Sequence, residues 1–293
     1  MNALRAWLRR ALGLEALEER LGRLQAALGR IESRQVRQAA DLATAEFQVF
    51  SQWGDDGVIQ WLLWQLGGVE KVFVEFGVES YAEANTRFLL VNDNWTGLVI
   101  DSSEAHLARL RQDPVFWRHD LRAECAVVTG ENIDGLLTRN GIAGEIGLLS
   151  IDIDGNDYWV WNAITAIAPA IVVVEYNARF GPQRAVTIPY DPGFVRSTAH
   201  YSCIYYGASL AALTRLGNRK GYALVGCNRA GNNAFFVRRD RLTPGLAEKT
   251  AAEAYVPAKF RESRARDGGL AFLAPHDELR ILESLPLVEV GDR

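Results

Sequence analysis

Four apolar runs stop at acidic residues. Val72-Phe73-Val74 leads into Glu75 and Gly77, and Gly97-Leu98-Val99-Ile100 leads into Asp101 and Ser102. The run from Ile146 reaches Asp152 and Asp154, and Ala170-Ile171-Val172-Val173-Val174 reaches Glu175 and Asn177. A carboxylate on a buried strand is costly unless it is paired. One such acid is ordinary; four at one sheet edge predict a ligand site.

Each has a job that fits its type. Glycine at position 77 lets a ligand approach the backbone. An acid ending the second strand accepts both hydroxyls of a ribose. Asp101 falls about 20 residues after the Glu75–Gly77 turn, the spacing that dinucleotide folds use. Its plainer role is to cap a helix at Glu104. Strand alternation predicts Asp152 and Asp154 on one face. Two carboxylates so close call for a cation, an arginine or a shared proton. With Glu175 and Asn177 they form a set of oxygen donors suited to Mg²⁺ or Mn²⁺. The alternative is a polar turn over Asp154 to Asp157 that caps the next helix.

The elements that must position these groups follow from patterning. Val72 to Val78, Gly97 to Asp101, Ile146 to Asp154 and Ala170 to Glu175 read as strands, and Glu124 to Val128 as a weaker one. Helical patterns lie between them: Ala82 to Val91, Glu104 to Arg111, a stretch from Thr129 with Ile133, Leu136 and Leu137 inside, and Tyr158 to Ile164. Near-continuous Val/Ile/Leu runs separated by helices predict buried parallel strands in βαβ units. After a helix from Ser209 to Lys220, Tyr222 to Cys227 and Asn233 to Arg238 flank the turn Asn228-Arg229-Ala230-Gly231-Asn232, an antiparallel hairpin. The expected fold is α/β and Rossmann-like: seven mostly parallel strands ending in an antiparallel hairpin, with helices on both faces. Ligands then bind at the carboxyl ends of the strands, near the switch in strand order.

Composition agrees with a globular chain. Of 293 residues, 48% are hydrophobic and 23% charged, which excludes a fibrous or fully disordered protein. The net charge of −4 gives no global basic field for nucleic acid. No apolar run reaches the roughly 20 residues of a membrane span. Cys125, Cys203 and Cys227 are odd in number and far apart, which argues against a disulfide framework and predicts a reducing cytoplasm.

Residues 1–45 read as a separate element, 46–241 as the α/β domain and 242–293 as a helical extension. Leu14, Leu17, Leu21, Leu24, Leu28 and Ile31 follow spacings of 3, 4, 3, 4 and 3, the seam of a short coiled coil. Gly13, Gly22 and Gly29 weaken that helix by about 1 kcal/mol each relative to alanine. Self-association and packing on the chain's own domain are both open. From Met1 to Leu14, Arg5, Arg9 and Arg10 alternate with Leu4, Trp7, Leu8 and Leu12, as in a helix lying on an anionic membrane face.

The segments VFVEFGVESYAEANT, WTGLVIDSS, LLSIDIDGNDYW, VVVEYN, YYGASL and GNNAFFVRRD together resemble class I S-adenosylmethionine-dependent methyltransferases. Within them the series is most similar to the FkbM-type group, over Phe50 to about Arg239. The resemblance implies S-adenosyl-L-methionine as cofactor. It places Glu75 and Gly77 against the methionine part, Asp101, followed by Ser102, at the ribose, and Asp152 and Asp154 beside the transferable methyl. It also implies that Gln52, in the entry motif Phe50-Ser51-Gln52, touches the cofactor, and that Asn85 and Thr86 line the same pocket. One departure stands out: Gly77 is alone where the first motif has two or three glycines. The same departure counts against NAD, which needs G-x-G-x-x-G after the strand.

Between the fourth strong strand and the Ser209 helix, residues 178–206 hold Pro182, Pro189, Tyr190, Pro192, His200, Tyr201 and Tyr205. A loop this long, rich in rings and prolines, reads as a lid. His200 is the one histidine there, a candidate base for an acceptor hydroxyl, with surface packing as the alternative. The leading expectation is O-methylation of a sugar, glycan or other small hydroxyl acceptor. The expected partners are that acceptor and a second copy of the chain through the N-terminal helix, with peripheral contact at the inner membrane and no nucleic acid. A catalytically inactive binding or assembly module on the same fold is the alternative. A nucleotide-sugar or NAD enzyme is a third.

Overall fold

The computed structural model describes residues 13–291. In chain order its strands are β1 (Val72–Phe76), β2 (Thr96–Asp101), β3 (Leu121–Cys125), β4 (Gly144–Ile151), β5 (Ile167–Glu175), β6 (Val186–Thr187), β7 (Tyr222–Cys227), β8 (Asn233–Arg238) and β9 (Val288–Glu289). Seven form one sheet in the order β3-β2-β1-β4-β5-β8-β7. The first five are parallel, and β8 runs antiparallel to both β5 and β7. The chain therefore moves outward from β1 to β3, returns, and moves outward again from β4. The switch point lies between β1 and β4, where a crevice opens.

Side-chain alternation builds two cores. Val74, Phe76, Leu98, Ile100, Leu149, Ile151, Val172 and Val174 face one side, over helices at Ile133–Arg139, Asp157–Ala163 and Leu210–Arg219. Phe73, Val99, Leu148, Ile171 and Val173 face the other, over Asp55–Leu66, Arg87–Asp93 and Glu104–Gln112. Such side chains contribute roughly 1.5–3 kcal/mol each when fully buried, and a one-residue slip would cost both cores at once.

Several boundaries differ from the sequence reading. β3 lies at Leu121–Cys125, not Glu124 to Val128, because Leu121 is buried opposite Gly97 and the apolar run 126–128 is a loop. The helix after β1 begins at Arg87 rather than Ala82, since residues 79–86 form a loop with positive φ at Glu79 and Tyr81. The helix after β3 starts at Ile133, and its Ile133, Leu136 and Leu137 are buried. β4 stops at Ile151, so Asp152 and Asp154 stand beyond the strand. Of the 242–293 extension read as helical, only Ala251–Ala254 and Pro275–Glu283 are α-helix.

The 178–206 insertion is not a free flap. β6 pairs with β9, so the insertion is stitched to the C-terminal segment. Phe180, Val186, Ile188, Ile204 and Tyr205 share a small core with Leu282.

The first described helix, α1 (Leu14–Gln35), leans on the body by one narrow face. A side chain at Gly29 would meet Val49 at 2.5 Å and Phe88 at 2.8 Å, so only glycine permits this approach. Gln25 donates to the Val49 carbonyl. The leucine seam points elsewhere: Leu17, Leu21, Leu24, Leu28 and Ile31 are 50–63% exposed. The membrane-facing reading spans Met1 to Leu14, of which residues 1–12 lie outside the described residues. No helix among the described residues is long and apolar enough to cross a membrane.

Candidate functional site

A cavity of about 860 Å³ opens at the carboxyl ends of β1, β2, β4 and β5. At β1, Glu75 is buried and accepts the backbone N–H groups of Asn85 (2.8 Å) and Thr86 (3.1 Å) and the Thr86 hydroxyl (2.5 Å). Burial pushes its carboxyl upward against those donors. Asn85 reaches the cavity wall and donates to Ser150 Oγ at 3.1 Å. Thr86 is fully buried behind Glu75 and is not a wall of the cavity. Gly77, at φ 73°, is required by the fold itself: a Cβ there would lie 1.7 Å from the Asp152 carbonyl oxygen.

At β2, Asp101 accepts the N–H of Glu79 (2.7 Å) and of Ser103 (2.8 Å), and His106 Nδ1 lies 3.3 Å away. Oδ1 faces both Ser103 and His106, whereas Oδ2 accepts one N–H and retains capacity for a further bond. Asp101, Ser102 and His106 all line the cavity. Ser103, not Asp101, caps the next helix through the His106 N–H.

Gln52 and Trp53 enter from a loop tied by one carboxylate. Asp56 Oδ2 accepts the N–H groups of Val49, Phe50 and Ser51 at 2.7–2.8 Å and the Ser51 hydroxyl at 2.8 Å. Its neighbour Asp55 accepts from Asn228 (2.9 Å) and Asn233 (3.2 Å) in the β7–β8 hairpin. Complete burial lifts Asp55 to about 7.

At β4 and β5, carboxylate oxygens of Asp152, Asp154 and Glu175 lie within 4.8 Å of one another. They meet through a turn, not through strand alternation. Asp154 takes φ 56°, and buried Asp157 accepts the N–H groups of Ile153 (2.9 Å) and Gly155 (3.0 Å). Desolvation first, then repulsion from their neighbours, pushes Asp152 and Glu175 well above the usual carboxylate range.

The structure does not bring Asn177 or His200 to this cluster. Asn177 is fully buried and donates to the carbonyls of Ile204 (2.9 Å) and Tyr206 (3.1 Å), which spends its amide on holding the insertion. His200 bonds Ser202 Oγ at 2.7 Å and packs on the Tyr201 ring, away from the cavity walls. Burial and the nearby Arg266 lower its pKa.

The insertion instead delivers Arg196. Its Nη1 donates to Asp154 Oδ1 (2.5 Å), its Nε to the Cys203 carbonyl (2.8 Å), and its other terminal nitrogen pairs with Glu262. The guanidinium lies 3.7 Å over the Tyr206 ring. Trp53 stacks on Phe260 at 5.4 Å, and both line the cavity with Glu262, Asn232 and Asn233. Sequence reasoning missed these residues. The available signal was the demand of two adjacent aspartates for a countercharge, with Arg196 in the insertion to meet it.

No protein family and no curated protein matches the chain. Solved structures resemble it at low identity. The N-terminal domain of EvdMO1 with S-adenosylhomocysteine bound is 11% identical, covering 71% of this chain and 94% of that one, with a TM-score of 0.40. A putative caffeoyl-CoA O-methyltransferase from Staphylococcus aureus is 14% identical over 63% of this chain and 82% of its own, TM-score 0.41. A putative RNA methyltransferase from Pyrococcus horikoshii is 7% identical over 72% and 96%, TM-score 0.39.

Proposed function

We propose that this chain is an S-adenosylmethionine-dependent methyltransferase that methylates an oxygen of a sugar or another small hydroxyl acceptor. The observation that carries the reading is one cavity at the switch point walled by Glu75, Asp101, Asp152, Asp154 and Glu175. Carboxylate walls suit a ligand bearing a sulfonium and an ammonium. Asp101, with bonding capacity left on Oδ2, suits a ribose hydroxyl. The FkbM-type resemblance of the sequence assigns Glu75 to the methionine part of the cofactor, Asp101 to its ribose, and Asp152 and Asp154 to the surroundings of its methyl.

S-adenosylmethionine, when bound, supplies a methyl already activated on sulfur. The chain's residues must then align the acceptor, exclude water and take one proton. Methylation forms a C–O bond, breaks the S–CH₃ bond and releases the hydroxyl proton. Asp152 and Glu175, raised by burial and repulsion, are stronger bases than an ordinary carboxylate and take the role first read for His200. Arg196 holds Asp154 and so fixes the rim of the cluster.

The three carboxylates also fit a hard divalent ion by donor chemistry, without Asn177. Such an ion would polarise the acceptor oxygen. Methyl transfer to a sugar panel, with and without EDTA, tests both points. Transfer that survives EDTA assigns the countercharge to Arg196 alone; absence of transfer to any hydroxyl acceptor contradicts the reading.

The N-terminal helix joins two copies of the chain. Its seam is exposed while the face bearing Gly29 rests on the body. A repeat of 3.5 residues fits a partner with the same repeat, and a two-fold pair is self-complementary. Parallel pairing in register sets Arg20 near Gln25 and Ala27 near Glu32 of the second copy, with no like charges opposed.

A further inference from the structure

We infer that the acceptor half of the cavity takes a hydroxyl-rich ligand that carries no negative charge, such as a neutral or amino-bearing sugar unit, and rejects phosphorylated or nucleotide-linked forms. The inference deepens the methyltransferase reading and names the substrate class of the same site.

Three buried acceptors in the cavity wall lack partners: Asn156 Oδ1, Glu175 Oε2 and Asn233 Oδ1. These residues are 6%, 7% and 4% exposed. Both amides are oriented by their nitrogens: Asn156 donates to the Asp191 carbonyl (2.7 Å), which also accepts the Phe194 N–H (2.9 Å), and Asn233 donates to Asp55 Oδ2 (3.2 Å). A buried acceptor left without a donor is costly, and a ligand that supplies one recovers that cost. The matching ligand brings O–H or N–H groups.

Charge points the same way. Eight carboxylate residues line the cavity against Arg196 and His106. Arg196 already spends its nitrogens on Asp154, Glu262 and the Cys203 carbonyl, which leaves no guanidinium edge for a phosphate. A phosphate would meet like charge and unfilled acceptors together. Trp53 stacked on Phe260 at 20°, with Phe194 also in the wall, adds flat apolar surface for the carbon face of a ring.

The test is a ranking of ligands on the full-length chain. Saturation-transfer NMR, run without cofactor, compares methyl glycosides of neutral hexoses, a methyl glycoside of an amino sugar, hexose 1-phosphate and UDP-hexose. Calorimetry with S-adenosylhomocysteine is run in parallel, so loss of the cofactor reading is seen separately. Neutral and amino glycosides are expected to bind and both phosphate forms to fail; the relative signal of the two glycosides separates neutral from cationic acceptors. Asn233→Ala should weaken the bound glycoside by about tenfold, with S-adenosylhomocysteine affinity retained as the check that the cavity is intact. Binding led by the phosphate forms, or no binding by either glycoside, overturns the inference whatever the cofactor result.

Discussion

At the scale of single residues, the acid cluster and Arg196 decide the chemistry. The guanidinium lowers the pKa of both Asp152 and Glu175, and burial raises them. Removing the charge in Arg196→Met should raise those pKa values further. The basic form then appears later in a titration, so the acid limb of the kcat/KM profile should move to higher pH. His200→Ala, run beside it, should leave the profile in place. An unmoved limb in Arg196→Met, or a limb lost in His200→Ala, would return the base to the insertion.

Asp55 offers a second residue-scale test. Its carboxyl rises from 3.8 to about 7 on folding. The folded state therefore binds the proton more tightly than the unfolded one. This contribution is favourable below about pH 4 and is lost as pH climbs through 7, up to about 4 kcal/mol in all. Asp55→Asn lacks that titration. The stability of the variant minus that of the wild type, from urea unfolding, should climb between pH 4 and 7 and level off above. A flat difference would mean that Asp55 is ionised throughout.

The residues legible in the sequence were those ending apolar runs: Glu75, Asp101, Asp152, Asp154 and Glu175 all reach the cavity. A strand end is marked twice, by the run and by the polar residue that stops it. Arg196 arrives from a four-residue helix, Arg196–Ala199, and Phe260 and Glu262 from irregular segments, all too short or irregular for a period to tie position to direction. Asn177 has the right type at the right end, but its amide serves the carbonyls of Ile204 and Tyr206.

At the scale of elements, α1 shows what periodicity reveals and what it hides. The 3-4 spacing identified the helix and its seam. It did not say which face meets the body, because that choice rests on Gly29 fitting against Val49 and Phe88. Leu21→Asp with Leu24→Asp places charges on the exposed seam and should shift sedimentation toward monomer, leaving the circular dichroism of the domain unchanged. An unaltered mass would hand the seam to another occupant. The β3 boundary illustrates the same limit. An edge strand with one buried face, Leu121-Arg122-Ala123-Glu124-Cys125, carries too few apolar residues to outbid the loop that follows.

At the scale of the molecule, the C-terminal extension belongs to the site. β9 pairs with β6, Leu282 joins the insertion's core, and Phe260 and Glu262 line the cavity. Phe260→Ala should raise the acceptor KM several-fold, roughly the 0.5–1.5 kcal/mol of an aromatic pair, with little change in cofactor affinity. An equal loss of both would place Phe260 on the cofactor instead.

The cofactor claim is reached most directly by calorimetric titration of the chain and of Asp101→Ala with S-adenosylhomocysteine, with NAD as the control ligand. The wild type should bind S-adenosylhomocysteine and not NAD, and the variant, still folded by circular dichroism, should bind about 10- to 100-fold more weakly, the 1.5–3 kcal/mol of hydrogen bonds to a charged group. Binding of NAD, no heat from S-adenosylhomocysteine, or full affinity in Asp101→Ala would contradict the account.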